Sequence, residues 1–155
     1  MKTTMHTILL LIVLPLSFVV TAQQETIRQE ILHHGAEIRN AFQQENIEHI
    51  KKLHHPDVIK ALNYNDLKNG RDEVIKALEE TLRLYRLEFI ENEIENFYIQ
   101  DNLVIEQTRF AIKGTPKDGG DSFVFRGRTL VTYIRYQKSP TGWATIREII
   151  QPFSE

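Results

Sequence analysis

The apolar pattern changes its period at Tyr85, and this change constrains the fold more than any motif does. Before it, apolar residues recur at spacings of three and four. Ile27, Ile31, His34, Ile38, Ala41 and Phe42 fall on one helical stripe. The stripe stops at Gln43-Gln44-Glu45. Ile47, Ile50 and Leu53 then open a second, shorter helix with Asn46 as its N-cap. His55 precedes Pro56, which pushes it towards extended geometry, so this helix ends near His54. Residues 57–62 read as a short strand and 63–70 as a polar turn. Val74, Ile75, Leu78, Leu82 and Tyr85 stripe a third helix. It opens at Asn69-Gly70, with Glu73 placed to cap it.

After Tyr85 four segments are rich in Ile, Val, Phe, Tyr and Thr: residues 87–100, 103–113, 122–137 and 143–151. Asp101-Asn102, residues 114–120 and residues 138–142 separate them, with turn residues in hairpin positions. Three helices followed by a long-stranded antiparallel meander predict an α+β fold. Strands of that length must curve to stay compact, and helices on one face of a curved sheet enclose a cone. No repeat or linker interrupts the pattern.

Residues 1–22 read as a secretory signal peptide. Lys2 supplies the positive start, 8–20 the apolar run, and Val20-Thr21-Ala22 the small residues of a cleavage site. The run is shorter than the roughly 20 residues that span a bilayer as a helix; an uncleaved anchor is the alternative. The expected mature domain is 23–155, secreted or periplasmic, with no stable membrane anchor after cleavage. The chain has no cysteine, which excludes disulfides, a thiol nucleophile and Cys-ligated zinc. An exported chain of this kind must draw its stability from its core. Nineteen Lys and Arg against twenty-one Asp and Glu leave a net charge of −2, so no basic footprint points to nucleic acid.

Several stretches resemble one family. They are IRNAFQQENIEHIKKL (38–53), HPDV (55–58), NGRDEVIKAL (69–78), FRGRTLVTYIR (125–135) and GWATIREI (142–149). In this order they resemble the NTF2-like superfamily, the cone-shaped barrel that includes SnoaL-like polyketide cyclases and ketosteroid isomerase. The small SnoaL-like or DUF4440 group is the nearest match. The resemblance implies three N-terminal helices on a curved antiparallel sheet, no cofactor, and frequent homodimers. The family's last strand often carries a His four to six residues after the Trp; Arg147 and Ile149 stand there instead. The fold hosts enzymes, binding modules and assembly domains, so it does not by itself assign a function.

Strand alternation puts Trp143, Thr145, Arg147 and Ile149 on one face. In the family's orientation that face looks into the cone. Arg147 would then either pair with a carboxylate such as Glu106 or await an anionic ligand group. Tyr85 and Tyr64 flank the third helix; each is either a phenol that donates to a ligand oxygen or a core tyrosine. Arg109 and Tyr133 lie on central strands and line either the cone or a dimer face. His34, on an apolar stripe, is a core or pocket-edge histidine.

The other histidines form adjacent pairs, His33-His34 and His54-His55, which point about 100° apart and do not chelate one metal. No metal site is expected. His55 beside Asp57 is either a base with its orienting acid or a surface turn. Residues 114–119 have P-loop spacing, but Gly120-Asp121 follows where Lys-Ser/Thr is required, so this is a hairpin loop. Glu91, Glu93 and Glu95 alternate along a solvated strand face that discourages edge pairing. Lys113, Arg126, Arg128 and Arg135 have no aromatic platform for nucleic acid.

Three functional readings follow. One is a domain that binds a small, largely apolar or partly anionic molecule in its cone. Another is a cofactor-independent isomerase, cyclase or dehydratase using Tyr85, Arg147 and either Glu106 or His34. The last is a non-catalytic dimeric interaction module.

Overall fold

The computed structural model describes residues 13–153. Residues 1–12 of the expected leader lie outside the described residues. Among the described residues no helix is long and apolar enough to cross a membrane.

The helices form where the apolar stripes place them: α1 (Val13–Gln43), α2 (Ile47–Lys52) and α3 (Arg71–Leu84). The Asn46 side chain caps α2 by accepting from the His49 backbone N–H at 3.1 Å. Glu73 reaches back from the first turn of α3 and accepts from the Asn69 N–H at 2.8 Å. The strands are β1 (His54–Asn63), β2 (Asp66–Asn69), β3 (Tyr85–Gln100), β4 (Leu103–Pro116), β5 (Phe123–Arg135) and β6 (Trp143–Pro152). The segment read as a polar turn therefore contains β2, a short hairpin partner of β1.

The six strands lie in the order β2-β1-β6-β5-β4-β3. The expectation of a wholly antiparallel sheet is corrected here, because β1 pairs with β6 in parallel. The β3–β6 meander leaves one edge of β6 open, and β1 fills it. The long strands bend at bulges. Ile90 and Glu95 are extra residues in β3 relative to β4, and Ile146 is an extra residue in β6 relative to β5. Each bulge bends its strand and sharpens the local twist.

The concave face is packed in two clusters. Ile27 and Ile31 of α1 meet Val104, Val131, Tyr133 and Trp143. Ala41 and Phe42 meet Ile50 of α2 and Ile75 and Leu82 of α3. At the first cluster, Trp143 Nε1 donates to Glu30 at 2.9 Å, and Arg135 lies 4.2 Å from the centroid of the indole while pairing with the same Glu30. This joint fixes α1 to the end of β5 and β6. Gly127 of β5 serves close approach: a Cβ there would stand 2.7 Å from the Gln151 carbonyl and 3.2 Å from the Phe110 ring.

The packing predicts a contrast between two substitutions that remove the same side-chain atoms. Ile31→Ala, at a fully buried position, should cost about 2–5 kcal/mol in urea denaturation. Ile149→Ala, on the exposed convex face, should change stability by no more than about 0.5 kcal/mol.

Candidate functional site

A cavity of about 410 Å³ lies between the helices and the concave face of the sheet. Its walls are mainly apolar, with Ile38 and Phe42 from α1, Leu78 from α3, and Phe89, Phe110 and Phe125 from the strands. Polar side chains enter from alternate positions of the central strands: Glu106 and Thr108 on β4, Thr129 and Tyr133 on β5, Thr145 and Glu148 on β6. Lys60 of β1, Arg39 of α1, Thr81 of α3 and Asn92 of β3 also line the cavity. An apolar cavity with a few convergent polar groups is the usual form of a small-molecule site.

Glu106 is the centre of this arrangement. It is buried, and burial raises its pKa above the usual carboxylate range. Thr108 Oγ1 donates to it at 2.7 Å, which holds the carboxylate down in part. The Tyr133 phenol stands against it, buried, and is pushed well above its ordinary range first by burial and then by the Glu106 charge. Lys60 and Glu148 form a separate, largely buried ion pair at 2.5 Å, and Thr129 donates to Glu148 at 3.3 Å. Thr145 Oγ1 is buried and has no hydrogen-bond partner among the described residues.

The structure brings Tyr85, Glu106 and Tyr133 together on the cavity wall. The other expected residues lie elsewhere. Tyr64 sits in the turn between β1 and β2, 99% exposed. Arg109 is on the convex face, paired with Glu91 and Glu93. Trp143 is core, held by Glu30.

Arg147 does not face the cone and does not pair with Glu106. Thr145 pairs with Tyr133 and Arg147 with Thr132, so Ile146 is left over between them and the alternation flips. Glu148 and Ile150 take the inward places. Arg147 instead donates to the carbonyls of Asp57 and Ile146, at 2.9 and 2.6 Å, and stitches two irregular strands together.

His34 lies behind the cavity wall. Its ring meets Tyr133 edge to face at 5.3 Å, and Nδ1 bonds Thr141 Oγ1 at 2.7 Å. Burial, with His33 adding to it, lowers its pKa to about 4. His54 is buried too; its Nδ1–H donates to the Ile50 carbonyl at 2.8 Å, and burial, then Lys60, lowers its pKa. His55 meets Tyr136 edge to face at 4.9 Å, and its Nδ1 accepts from the Asp57 N–H at 3.2 Å. Among the described residues no three His, Asp or Glu side chains cluster to hold a metal.

The convex face carries a furrow of about 510 Å³ flanked by Glu91, Arg109, Arg126 and Arg128. Its charges already answer one another: Arg126 pairs with Glu91 at 3.1 Å and Arg128 with Glu95 at 2.7 Å. Arg128, then Gln107, holds Glu95 at a pKa of about 2. A satisfied, solvated ladder of this kind offers a ligand little, so the cone is the candidate site.

Reading the sequence alone missed Arg39, Lys60, Thr108, Thr129 and Glu148, and placed Thr145 on the cone face without giving it a role. Two left a signal: Lys60 interrupts an apolar strand face between Val58 and Leu62, and Arg39 adjoins the apolar stripe one turn after Gly35.

No protein-family model matches the chain, and no curated protein sequence matches it. Solved structures do match. A nuclear transport factor 2 (NTF2-like) superfamily protein from Salmonella enterica superposes with a TM-score of 0.69 at 12% identity, covering 84% of this chain and 94% of that one. A ketosteroid isomerase-like protein from Erwinia carotovora gives a TM-score of 0.66 at 16% identity, covering 81% and 95%. A candidate dehydratase of the NTF2-like family from Streptomyces avermitilis gives 0.73 at 12% identity, covering 85% and 99%. The chain therefore has the NTF2-like fold.

The buried groups set the pH dependence of stability. His34 is neutral in the folded chain down to about pH 4, whereas the unfolded chain takes up the proton near 6.5. Its contribution is thus complete above pH 6.5 and lost as pH falls towards 4, by about 3 kcal/mol. Urea titrations of wild type and His34→Gln should show a shallower fall for the variant over that window. Glu106 acts in the opposite sense. Its folded pKa is raised, so stability is lost as pH rises past the ordinary carboxylate range. Glu106→Gln should melt at a higher temperature than wild type at pH 8, with the gap closing towards pH 4.

Proposed function

We propose that the protein binds a small, largely apolar molecule in its cone. The observation that carries this reading is the cavity of about 410 Å³, apolar in its walls and polar around Glu106. Thr145 supports it further, because a buried hydroxyl without a partner is costly unless a ligand or water satisfies it. In this reading the protein is an exported member of the SnoaL-like or DUF4440 group. Its convex face would be available to a second copy.

A second reading rests on Glu106 itself. A carboxyl with a raised pKa beside a phenol, in a cavity with apolar walls, suits general acid–base catalysis. This would make the protein a cofactor-independent isomerase, cyclase or dehydratase. The fold's other examples include a candidate dehydratase and an isomerase-like protein.

A small-molecule library followed by thermal shift and native mass spectrometry separates these readings. Wild type should yield saturable ligands. Ala77→Trp, which fills the cavity from α3, should abolish that binding and leave the fold intact. If a ligand is turned over, Glu106→Gln should lower kcat about 100-fold or more. Binding that survives Ala77→Trp would place the ligand outside the cone.

A further inference from the structure

Arg39 is the charge that the cone leaves unmatched. It is half-buried on α1 and lines the cavity between Ile38 and Phe42. Among the described residues no ion pair includes it, and Glu106 acts on it only through space. Gly35, one turn earlier and buried, leaves room for the guanidinium: a Cβ there would stand 3.2 Å from Arg39 Nη1.

Lys60 and Glu148 pair with each other. Burial raises the Glu106 pKa, while the Thr108 hydroxyl and Arg39 act to lower it. The Arg39 guanidinium presents five donors in a plane and receives a carboxylate through two parallel hydrogen bonds. The same cavity holds a second unanswered group. Thr145 is 1% exposed, lines the cone, and has an Oγ1 with no partner among the described residues.

We infer that the cone's ligand is an amphiphilic carboxylate, its single anionic head paired with Arg39 and its apolar body held among Phe42, Phe89 and Phe110. Thr145 takes a further polar oxygen of the same molecule. At about 30 Å³ per non-hydrogen atom, the density of liquid water, the cavity of about 410 Å³ holds on the order of a dozen such atoms. A medium-chain or aromatic acid meets that limit. This inference rests on the proposal that the cone binds a ligand, and it adds the ligand's charge.

Decanoate and 1-decanol are matched probes, alike in chain and different in head. Isothermal titration of the purified full chain should show decanoate binding about tenfold or more tightly than decanol. Arg39→Gln should remove that preference and leave decanol affinity within about twofold, and Arg39→Lys should restore part of it. Equal affinities in wild type, or a preference that persists in Arg39→Gln, would overturn the carboxylate and leave cone binding standing. No saturable binding of either probe, or binding that survives Ala77→Trp, would overturn both. If Arg39→Gln does not fold, the wild-type comparison of the two probes decides alone.

Discussion

Long strands have to bend around the helices that cover them, and this sheet bends at single extra residues. Flat strands of 13 to 16 residues would splay away from α1 and α3. Ile90, Glu95 and Ile146 break the ladder at three points and turn the sheet inward. Everything on the concave side depends on that curvature. It brings α1 against Val104 and Val131 at one cluster and the three helices together at the other, with the cavity between them. Gly127 is part of the same geometry, since a side chain there would strike the neighbouring backbone.

The interior is chemically uneven. Its apolar residues stabilise the fold by burial. Its polar residues work against it: Glu106 is hard to ionise, and Thr145 has no partner. Lys60 and Glu148 compensate one another at close range, yet such a pair seldom stabilises more than the apolar residues it replaces. Groups that cost stability are expected where a site must keep capacity in reserve for a ligand or a proton. The convex face shows the contrary pattern. There Glu91, Glu93 and Glu95 are met by Arg109, Arg126 and Arg128.

The helices and long strands were legible because their signals are local. The stripe from Ile27 to Phe42, the Asn46 cap, the Glu73 back-bond and the turn at Asp101-Asn102 each lie within a few residues of their effect. The parallel contact of β1 with β6 was not legible, because it joins segments about ninety residues apart and neither strand carries a mark of its partner. The site was legible only in part. Glu106, Tyr133 and Tyr85, each left open between two readings by the sequence, line the cavity. Arg147 does not line it: alternation was counted through Ile146 as though the strand were regular.

The sequence by itself determined the order of the elements, the apolar faces they must bury and the absence of any cysteine-based brace. These follow from period and composition, which need no knowledge of distant contacts. Only the tertiary structure decided which polar side chains share the cavity. A one-residue bulge sends Arg147 out and Glu148 in, and a buried glycine one turn away gives Arg39 its room in the cone. Both outcomes depend on strand register and helix docking, which are settled by packing across the whole fold rather than by the residues nearby.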